Sequence, residues 1–393
     1  MKKIYFTFII CFISIMLTSC ISGKDLFYRM EYNGYLDTAS YVIVEYNTKD
    51  YTVEEIKDIL NGVKDVLLNV EKEFSIGQTF FMKQANIEES TTMLINRKSG
   101  TNEKVKVSDE FLKLLEIGND LSIKTNGLFD LTIGSLSRLW DISKRVEFCQ
   151  DDSSLLEDLC KIPTDKEIKE TISLIDYKMV EIDKENKTVY LPKKGMMLDF
   201  GSIAKGYAAD KVWEYLNKYQ FSYSVINLGG NVKVNGTVKQ SVDDIKIYIN
   251  NPFDTGNLGY YYPKKNTGGV TSGIYERYIT YQGVKYHHIL NPKTGYPCSE
   301  EITSVTIMSE SSTMADALST SVFMLGVTKG LELINSIEGV ETIIVTNNKK
   351  VYVSSNIDFI SNVENIEIIR WGNRDVKITN YWFTRKYWRK RNS

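Results

Sequence analysis

Histidine is scarce in this chain, whose 393 residues include only the adjacent pair His287 and His288. A zinc site built from separate histidines is therefore excluded, as is a two-metal centre based on histidine. Charge of one sign is not in excess either, because 48 Lys and Arg face 50 Asp and Glu, for a formal net charge of −2. Nucleic-acid-binding proteins usually carry a basic excess, so we expect no nucleic-acid partner.

Cysteine is sparse as well, with five residues at positions 11, 20, 149, 160 and 298. None forms a C-x-x-C pair, so a metal held by thiolates is not indicated. The first two fall in an N-terminal export segment, and the three that remain do not make a disulfide framework. A bridge between Cys149 and Cys160 outside the cytoplasm stays open at this level.

The remaining composition is that of a folded protein. Hydrophobic residues make up 42% of the chain and charged residues 25%, which is too apolar for disorder. The length allows one large domain or two intertwined lobes. We find no internal repeat, no low-complexity tract and no linker rich in Pro or Gly.

The first residues are typical of an export signal. Lys2 and Lys3 precede an apolar run, 4–17, that has the length of a signal-peptide core and is short for a membrane span. The ending L-T-S-C resembles a bacterial lipobox. We therefore expect a signal peptide at 1–19, lipid on Cys20, a spacer to residue 26, and a lipoprotein at the outer face of the cytoplasmic membrane or in the periplasm. An uncleaved signal anchor is the alternative.

Periodicity predicts a mixed α+β fold with largely antiparallel sheets and packed helices. Apolar residues at three- and four-residue steps predict a helix over 56–70, and caps at Ser108 and Thr164 predict two more helix starts. Further helices are predicted at 202–219 and 312–325, and strands at 42–46, 179–183, 188–191, 224–227, 245–249, 278–281, 304–308, 342–345 and 352–354. Links between consecutive strands are often too short for parallel crossovers.

The first segment with chemical content is 197–207. An apolar strand end delivers Asp199, Gly201 permits a tight turn, and a helix carrying Lys205 follows. The unpaired N–H groups and partial positive charge of a helix N-terminus suit a phosphate, and lysine adds a full charge. An ordinary strand–turn–helix would show the same pattern, and the spacing is not that of a Walker motif.

Two other strand ends lead into polar turns. Gly229 and Gly230 close a buried strand and would let a ligand or another backbone approach, although a plain turn is equally compatible. His287 and His288 precede the turn N-P-K-T-G. Adjacent strand residues face opposite sides, so one imidazole could act as a base while the other has a structural part.

Asp316 and Thr320 are four residues apart in a predicted helix and therefore share one face. A carboxylate and a hydroxyl are hard oxygen ligands, and together with phosphate oxygens they suit Mg²⁺. An Asp–Thr pair at this spacing also occurs by chance.

Several stretches of the chain occur together in the order of one family. They are N-G-L-F-D-L-T, D-F-G-S-I-A-K-G-Y-A-A-D, I-N-L-G-G-N, T-S-G-I-Y-E-R-Y, H-I-L-N-P-K-T-G-Y-P, S-V-T-I and A-D-A-L-S-T, with a short L-D-T at 36–38. They resemble the FAD:protein FMN transferase (ApbE flavin transferase) family. The resemblance covers about Phe27 to Ser354 and implies a T-fold-related, ApbE-like domain at 27–355, followed by an extension at 356–393.

Members of that family split FAD at its pyrophosphate and join FMN, as a phosphoester, to a threonine or serine of an acceptor flavoprotein, releasing AMP. The resemblance therefore implies FAD as substrate, Mg²⁺ as cofactor and an extracytoplasmic acceptor as partner. It implies that His288 activates the acceptor hydroxyl. The implied metal ligands are Asp316, Thr320 and Ser202, the last through its backbone carbonyl, and the implied FAD contacts are Leu36, Leu128, Phe129, Asp130, Asp199, Lys205 and Leu290.

The chain departs from the family's pattern at three places. Asn291 replaces the aspartate of a D-P-x-T-G turn, and either residue can cap such a turn. Ser319 replaces an acidic ligand present in some members, which leaves the number of metal ions open. The region 74–77 offers no counterpart to the family's flavin-stacking tyrosine, for which Phe80 or Phe81 would be the substitute.

Two other functions remain compatible with the sequence. One is an FAD pyrophosphatase that uses water as the acceptor, and the other is a lipoprotein that binds FAD without turnover. Asp316, Thr320 and His288 favour chemistry over storage, because storage requires neither a metal nor a base. They do not separate transferase from hydrolase.

The last residues, 381–393, combine five basic and five aromatic side chains with no acid. One interpretation is a terminal element that packs its rings on the body of the protein. The other is a tail that lies on the anionic membrane surface to which Cys20 tethers the chain.

Overall fold

The computed structural model describes residues 23–149, 160–236, 245–264, 266–299 and 301–371. The predicted signal peptide, Cys20 and the basic aromatic tail lie outside these described residues. The described strands are β1 Asp25–Glu31, β2 Ser40–Asn47, β3 Val105–Lys106, β4 Glu181–Asp183, β5 Thr188–Tyr190, β6 Tyr223–Leu228, β7 Asn231–Gly236, β8 Ile247–Asn250, β9 Asn257–Tyr261, β10 Gly268–Gly273, β11 Tyr278–Tyr281, β12 Val284–His287, β13 Ile302–Ser309, β14 Glu341–Thr346, β15 Lys350–Ser354, β16 Phe359–Ser361 and β17 Glu367–Trp371.

The described helices alternate irregularly with these strands. They are α1 Val53–Phe74, α2 Phe80–Gln84, α3 Thr91–Arg97, α4 Asp109–Lys124, α5 Gly134–Trp140, α6 Ile142–Cys149, α7 Asp165–Ile172, α8 Ala204–Leu216 and α9 Ser312–Asn335. Two short 3-10 turns, Tyr35–Asp37 and Tyr177–Met179, add to them.

One large sheet organises the fold, with the strand order β1-β2-β6-β7-β10-β13-β14-β15-β17. Its neighbouring strands are antiparallel except β15 and β17, which run parallel. Two three-stranded sheets, β16-β9-β8 and β3-β5-β4, and the hairpin β11-β12 complete the strand pairing. The predicted α+β class with largely antiparallel sheets is confirmed.

Helices α1, α8 and α9 pack on one face of the large sheet. Thr52 starts α1 with a capping box, in which its hydroxyl accepts from the Glu55 N–H while the Glu55 carboxylate accepts from the Thr52 N–H. The helix then buries an apolar stripe that includes Ile56, Leu60, Val63, Leu67 and Val70. This stripe shares one core with sheet residues such as Val42 and Ile226, and burial of that apolar surface stabilises the layer by roughly 25 cal/mol per Å².

The opposite face of the large sheet is covered at one end by the small sheet β16-β9-β8. A second core joins Ile249 and Leu258 of the small sheet to Ile343 and Val351 of the large one. A Cβ at Gly269 would lie 1.8 Å from the Tyr261 hydroxyl, so a larger residue would push the small sheet away. Beside the small sheet, β1, β2 and β6 line an open pocket.

Helix α9 is the one described helix that is long and apolar enough to cross a membrane. In this fold it lies in the core, where it packs against β13 and α8 and has most of its apolar residues buried. The sequence predicted an end at residue 325. Gly326 does leave the helical region, with φ of 75°, but a further helical stretch continues to Asn335.

The body of the protein extends beyond the boundary predicted at residue 355. β16 pairs with β9, and β17 adds a parallel strand to the edge of the large sheet beside β15. The Ser355 N–H donates to the Trp371 carbonyl at 2.9 Å. Residues 356–371 therefore belong to the folded body. The sequence did not predict this, because β16 and β17 are short and a polar loop separates them.

Cys149 and Cys160 form a disulfide, the pairing that the sequence left open. Both cysteines are buried in a cluster with Trp140 and Ile168. Replacing both by serine is expected to lower the free energy of unfolding by roughly 2–3 kcal/mol, because the bridge closes a short loop in the unfolded chain. Denaturant titrations of the oxidised parent, the reduced parent and the double variant test this. Equal stability of the oxidised parent and the variant would contradict it.

Candidate functional site

Lys205 and Asp316, two of the predicted site residues, meet where α8 packs against α9. The Gly206 N–H, in the first turn of α8, donates to Asp316 Oδ2 at 2.8 Å. A Cβ at position 206 would lie 2.1 Å from the Ser312 carbonyl oxygen and 2.7 Å from the Asp316 Cβ. Only glycine permits this approach, and helix packing therefore fixes the position of the carboxylate.

Asp316 is a buried residue, 2% exposed, and its carboxylate lies near the ammonium group of Lys205. Its Oδ1 lies 3.9 Å from Lys205 Nζ. Thr320, one turn further along α9, is half-buried. The Ser319 hydroxyl donates to the Asp316 backbone carbonyl at 2.8 Å and lies 2.7 Å from the Ser272 hydroxyl, so it is engaged within the protein.

The oxygen donors at this point fit Mg²⁺ shared with a phosphate group. In the part of the chain that the structure describes, no cluster of three or more His, Cys, Asp or Glu side chains could hold a metal by itself. Mg²⁺ commonly keeps several waters and binds through one or two carboxylates plus substrate phosphates. The Asp316 carboxylate, together with the predicted Thr320 hydroxyl and Ser202 backbone carbonyl, would be such a partial set.

Three predicted residues lie in the turn before α8 and at the start of α8 itself. The Asp199 carboxylate accepts the Gly201 N–H at 2.8 Å, which closes the turn. Ser202 follows, half-buried, and Lys205 donates to the Gly201 carbonyl at 3.2 Å. The structure therefore brings the ammonium group of Lys205 and the start of α8 beside the Asp316 carboxylate.

The two histidines make different contacts. His287 has both ring nitrogens engaged, because Nδ1 accepts from the Ile289 N–H at 3.3 Å and Nε2 donates to the Cys298 carbonyl at 3.2 Å. The Nδ1 of His288 lies 3.1 Å from the Arg277 carbonyl, which fixes the proton on Nδ1 and leaves the lone pair on Nε2. This geometry suits His288 as a base and His287 as a structural residue.

His288 is held in its neutral form. Burial lowers the pKa of His288 to about 3, and the positive charges of Arg277 and Lys205 act in the same direction. A neutral imidazole at pH 7 is the form that accepts a proton.

Burial also lowers the pKa of His287, to about 4. An unfolded histidine titrates near 6.5, so between these values the unfolded chain binds a proton that the folded chain does not, and stability falls as the pH drops below about 6.5. We expect this to remove about 2 kcal/mol of unfolding free energy between pH 7 and pH 5. Urea titrations at both pH values should show a smaller acid loss for His287→Gln than for the parent; equal losses would contradict the assignment.

Asp130 is buried at the start of the segment that follows α4. Its carboxylate accepts the Thr132 N–H and hydroxyl at 2.8 and 2.7 Å, and the Tyr177 N–H at 2.9 Å. Burial raises the pKa of Asp130, while these hydrogen bonds act against the rise. The carboxylate thus ties the predicted FAD-contact segment to the 3-10 turn at Tyr177.

Two of the predicted FAD contacts have buried side chains. Phe129 is 2% exposed and Leu290 is 4% exposed, whereas Leu128 is half-buried. Contacts from Phe129 and Leu290 would therefore come chiefly from backbone atoms. After Leu290, the Asn291 side chain accepts the Lys293 N–H at 2.9 Å, which is the turn cap expected of either asparagine or aspartate.

Leu36 occupies a strained backbone conformation. It has φ of 54°, which is uncommon for a branched side chain, and its N–H donates to the Glu71 carboxylate at 2.9 Å. The neighbouring Tyr35 stacks on Phe81 with ring centroids 3.7 Å apart. Phe81 is thus engaged within the protein, and Phe80, 70% exposed, is the open aromatic ring of this region.

Sequence reasoning missed the acidic residues that organise the site. Glu71 holds the Leu36 loop, and Asp210 caps α9, where it accepts from the Ser312 and Thr313 N–H groups at 3.0 and 2.9 Å. Burial alone would raise the pKa of Asp210, but Lys233, 2.6 Å away, and these hydrogen bonds bring it below its usual value. Asp210 ends the D-F-G-S-I-A-K-G-Y-A-A-D stretch, which was the available signal.

Glu276 is the third missed acid. Burial among protein atoms raises its pKa although the side chain stays accessible to solvent, while Lys205 and Arg277 lower the pKa and Asp316 raises it. Glu276 directly precedes Arg277, whose carbonyl lies 3.1 Å from His288 Nδ1. It belongs to the T-S-G-I-Y-E-R-Y stretch, in which no local pattern distinguished Glu276 from its neighbours.

Known proteins are similar to this chain both in sequence and in fold. Residues 48–344 match the model of the ApbE family. The chain is 35% identical over 271 residues to the FAD:protein FMN transferase of Klebsiella pneumoniae (strain 342), covering 69% of this chain and 79% of that protein. It is 30% identical over 286 residues to the FAD:protein FMN transferase of Treponema pallidum (strain Nichols), covering 70% and 75%.

A solved structure is similar as well. The ApbE protein of Thermotoga maritima superimposes with a TM-score of 0.69 at 27% identity, covering 84% of this chain and 97% of that one. The family match spans well over half of the sequence and includes the α8 and α9 segments whose packing is described above. The chain belongs to the ApbE family.

Proposed function

We propose that this ApbE-family transferase cleaves FAD at its pyrophosphate and attaches FMN, through a phosphoester, to a threonine or serine of an extracytoplasmic acceptor protein, with Mg²⁺ as cofactor and AMP as the second product. The supporting observation is that Asp316 Oδ1 lies 3.9 Å from Lys205 Nζ, while the Arg277 carbonyl, 3.1 Å from His288 Nδ1, leaves the Nε2 lone pair of that ring to accept a proton. A ligand for a cation, a charge for phosphate and a neutral base are what phosphoryl transfer to a hydroxyl requires. Relatives named FAD:protein FMN transferase support the same activity.

The proposed step moves one phosphoryl group and one proton. The acceptor hydroxyl oxygen attacks the phosphorus on the FMN side, the new P–O bond forms, and the bond from that phosphorus to the bridging oxygen breaks. AMP leaves with the electron pair, and His288 Nε2 takes the hydroxyl proton. The Arg277 carbonyl, 3.1 Å from Nδ1, keeps the imidazole in the tautomer that can do so.

The metal would be held by Asp316, Thr320 and the backbone carbonyl of Ser202. When bound, Mg²⁺ neutralises part of the pyrophosphate charge and orients it for in-line displacement. The Gly206 N–H holds one Asp316 oxygen in place before any ligand arrives. Lys205 supplies a second positive charge to the same pyrophosphate. The remaining proposed FAD contacts are Leu36, Leu128, Phe129, Asp130, Asp199 and Leu290.

The test combines the purified protein with FAD, Mg²⁺ and a candidate extracytoplasmic acceptor protein. In-gel flavin fluorescence reports covalent FMN, and chromatography reports AMP. We expect both signals, and chelation of Mg²⁺ should abolish both. AMP without labelled protein would indicate a pyrophosphatase, and bound FAD with neither product would indicate a binding protein; either result would overturn the proposal.

We further propose that the protein is a lipoprotein anchored through Cys20 at the outer face of the cytoplasmic membrane or in the periplasm. The basis is the apolar run at 4–17 followed by L-T-S-C. Cys20→Ser is expected to release the protein from the membrane while the folded domain stays active, because stable anchoring would depend on lipid. Cell fractionation checks this, and a variant that stays in the membrane fraction would favour the uncleaved signal anchor.

A further inference from the structure

A pocket of about 500 Å³ opens on the face of the large sheet opposite to α8 and α9. Its floor includes Tyr41 of β2, Asn227 of β6 and Thr271 of β10. Strand neighbours of these residues are buried against the helices, so the alternation of side chains directs the three toward the pocket. A volume of this size accommodates a ligand of several linked groups.

One wall of the pocket is an edge strand. Tyr248 and Asn250 of β8 line it, and β8 ends the small sheet β16-β9-β8. Among the described residues, β8 pairs with β9 and has no strand on its other side. Such an edge offers N–H and C=O groups to an extended peptide, which can add as a further strand.

The pocket leads to the site through Glu276. This residue lines the pocket and stands just after the end of β10, directly before Arg277. The next residue, Arg277, accepts through its carbonyl from His288. Glu276 and Arg277 therefore connect the pocket lining to the residue proposed as the base.

The charges in the pocket disfavour a phosphate-bearing occupant. Arg29 supplies the positive charge among the described lining residues, and it pairs with Glu31 at 3.0 Å and lies 3.9 Å over the Tyr41 ring. Glu276 adds a second acid to the lining. The remaining polar lining consists of amide and hydroxyl groups, which match the hydrogen-bonding groups of an uncharged peptide.

We propose that this pocket docks an extended, uncharged segment of the acceptor protein along the edge of β8 and presents its threonine or serine hydroxyl past Glu276 to His288. The inference rests on the proposed transferase function and adds where the acceptor binds and what flanks its modified residue. FAD, with its negative charges, occupies the Lys205–Asp316 side of the site.

The experiment uses ten-residue peptides with a central threonine flanked by uncharged residues, and matched peptides with aspartate on both sides of the threonine. Parent protein, Tyr248→Ala and Ile360→Ala receive the same FAD and Mg²⁺. Ile360 is a matched control because it lies on β16, the other edge of the same small sheet, and is similarly exposed at 41% against 51% for Tyr248. Hydrogen–deuterium exchange of residues 247–250 is measured with peptide alone, with FAD alone and with neither.

We expect uncharged peptides to be labelled about tenfold faster than aspartate-flanked ones, a difference of about 1.4 kcal/mol. Tyr248→Ala should raise KM for the peptide about tenfold with little change in kcat or in FAD affinity, and Ile360→Ala should match the parent. Peptide, but not FAD, should slow exchange at 247–250.

Equal labelling by Tyr248→Ala and the parent, indifference to the flanking charge, or protection of 247–250 by FAD alone would each overturn the docking proposal. Labelling of the acceptor protein without any labelling of a peptide would overturn it too. Failure of the proposed function is read separately, as the absence of labelled acceptor protein, with or without AMP. In that case the hydrogen–deuterium exchange measurement still tests the docking proposal, because a peptide that leaves residues 247–250 unprotected is not docked there.

Discussion

Replacing His288 by alanine is expected to lower kcat for FMN transfer by about 10²- to 10⁴-fold, the range that a positioned general base contributes. The reason is the arrangement of the ring, whose Nδ1 proton is held by the Arg277 carbonyl and whose pKa is lowered by burial, so that Nε2 is unprotonated and carries the lone pair that would accept the hydroxyl proton. FAD should still bind, because the loss falls on proton transfer. The measurements are the rate of in-gel flavin labelling and the FAD dissociation constant of the variant.

The adjacent histidine supplies a matched control. His287→Gln should lose stability, since both ring nitrogens of His287 are hydrogen-bonded inside the protein, but should keep kcat close to that of the parent. Added imidazole should partly restore the rate of His288→Ala and leave His287→Gln unchanged. A His288→Ala protein that labels its acceptor at the parental rate would contradict the assignment of the base.

Replacing Asp316 by alanine is expected to abolish Mg²⁺-dependent turnover while weak FAD binding persists. Loss of a group that merely supports a metal ligand costs about 10- to 100-fold, so loss of the carboxylate itself should exceed 100-fold. Asp316→Asn separates chemistry from packing, because its amide oxygen can still accept the Gly206 N–H that joins α8 to α9. Turnover at limiting Mg²⁺ and titration calorimetry with Mg²⁺ are the measurements.

For these variants, thermal unfolding should show a large loss for Asp316→Ala and a small one for Asp316→Asn, whereas both should lose metal affinity. If Asp316→Ala transfers FMN at the parental rate in limiting Mg²⁺, the metal site lies elsewhere. Near-normal Mg²⁺ affinity of Asp316→Asn would likewise contradict a ligand role for the carboxylate.

Much of the helical structure could be predicted from local sequence signals. The helix predicted over 56–70 and the starts at Ser108 and Thr164 agree with the structure, because caps and apolar periodicity act within a few residues. The large sheet was less accessible. β1 and β17 are its edge strands, whose alternation is weak, and their membership depends on pairing with strands elsewhere in the chain.

The candidate site likewise contains residues that the sequence indicated and contacts that it did not. Asp199, Lys205 and Asp316 stand in stretches that the sequence singled out, but the contact between Gly206 and Asp316 joins residues 110 positions apart. No periodicity predicts such a distance. Glu71 and Glu276 had no local signal at all, because their significance arises only when the Leu36 loop and the end of β10 are folded into place.

The packing at Gly206 bears on how relatives of this chain can diverge. A single added methyl group there would collide with the Ser312 carbonyl, so a substitution at this position would displace α9 and, with it, the Asp316 carboxylate. Tyr248 and Asn250, by contrast, stand on a solvent-facing edge strand, where a change of side chain meets few packing constraints. Under the docking proposal, a substitution at the edge of β8 would change partner choice and leave the packing of Gly206 against α9, on the other face of the sheet, unaltered.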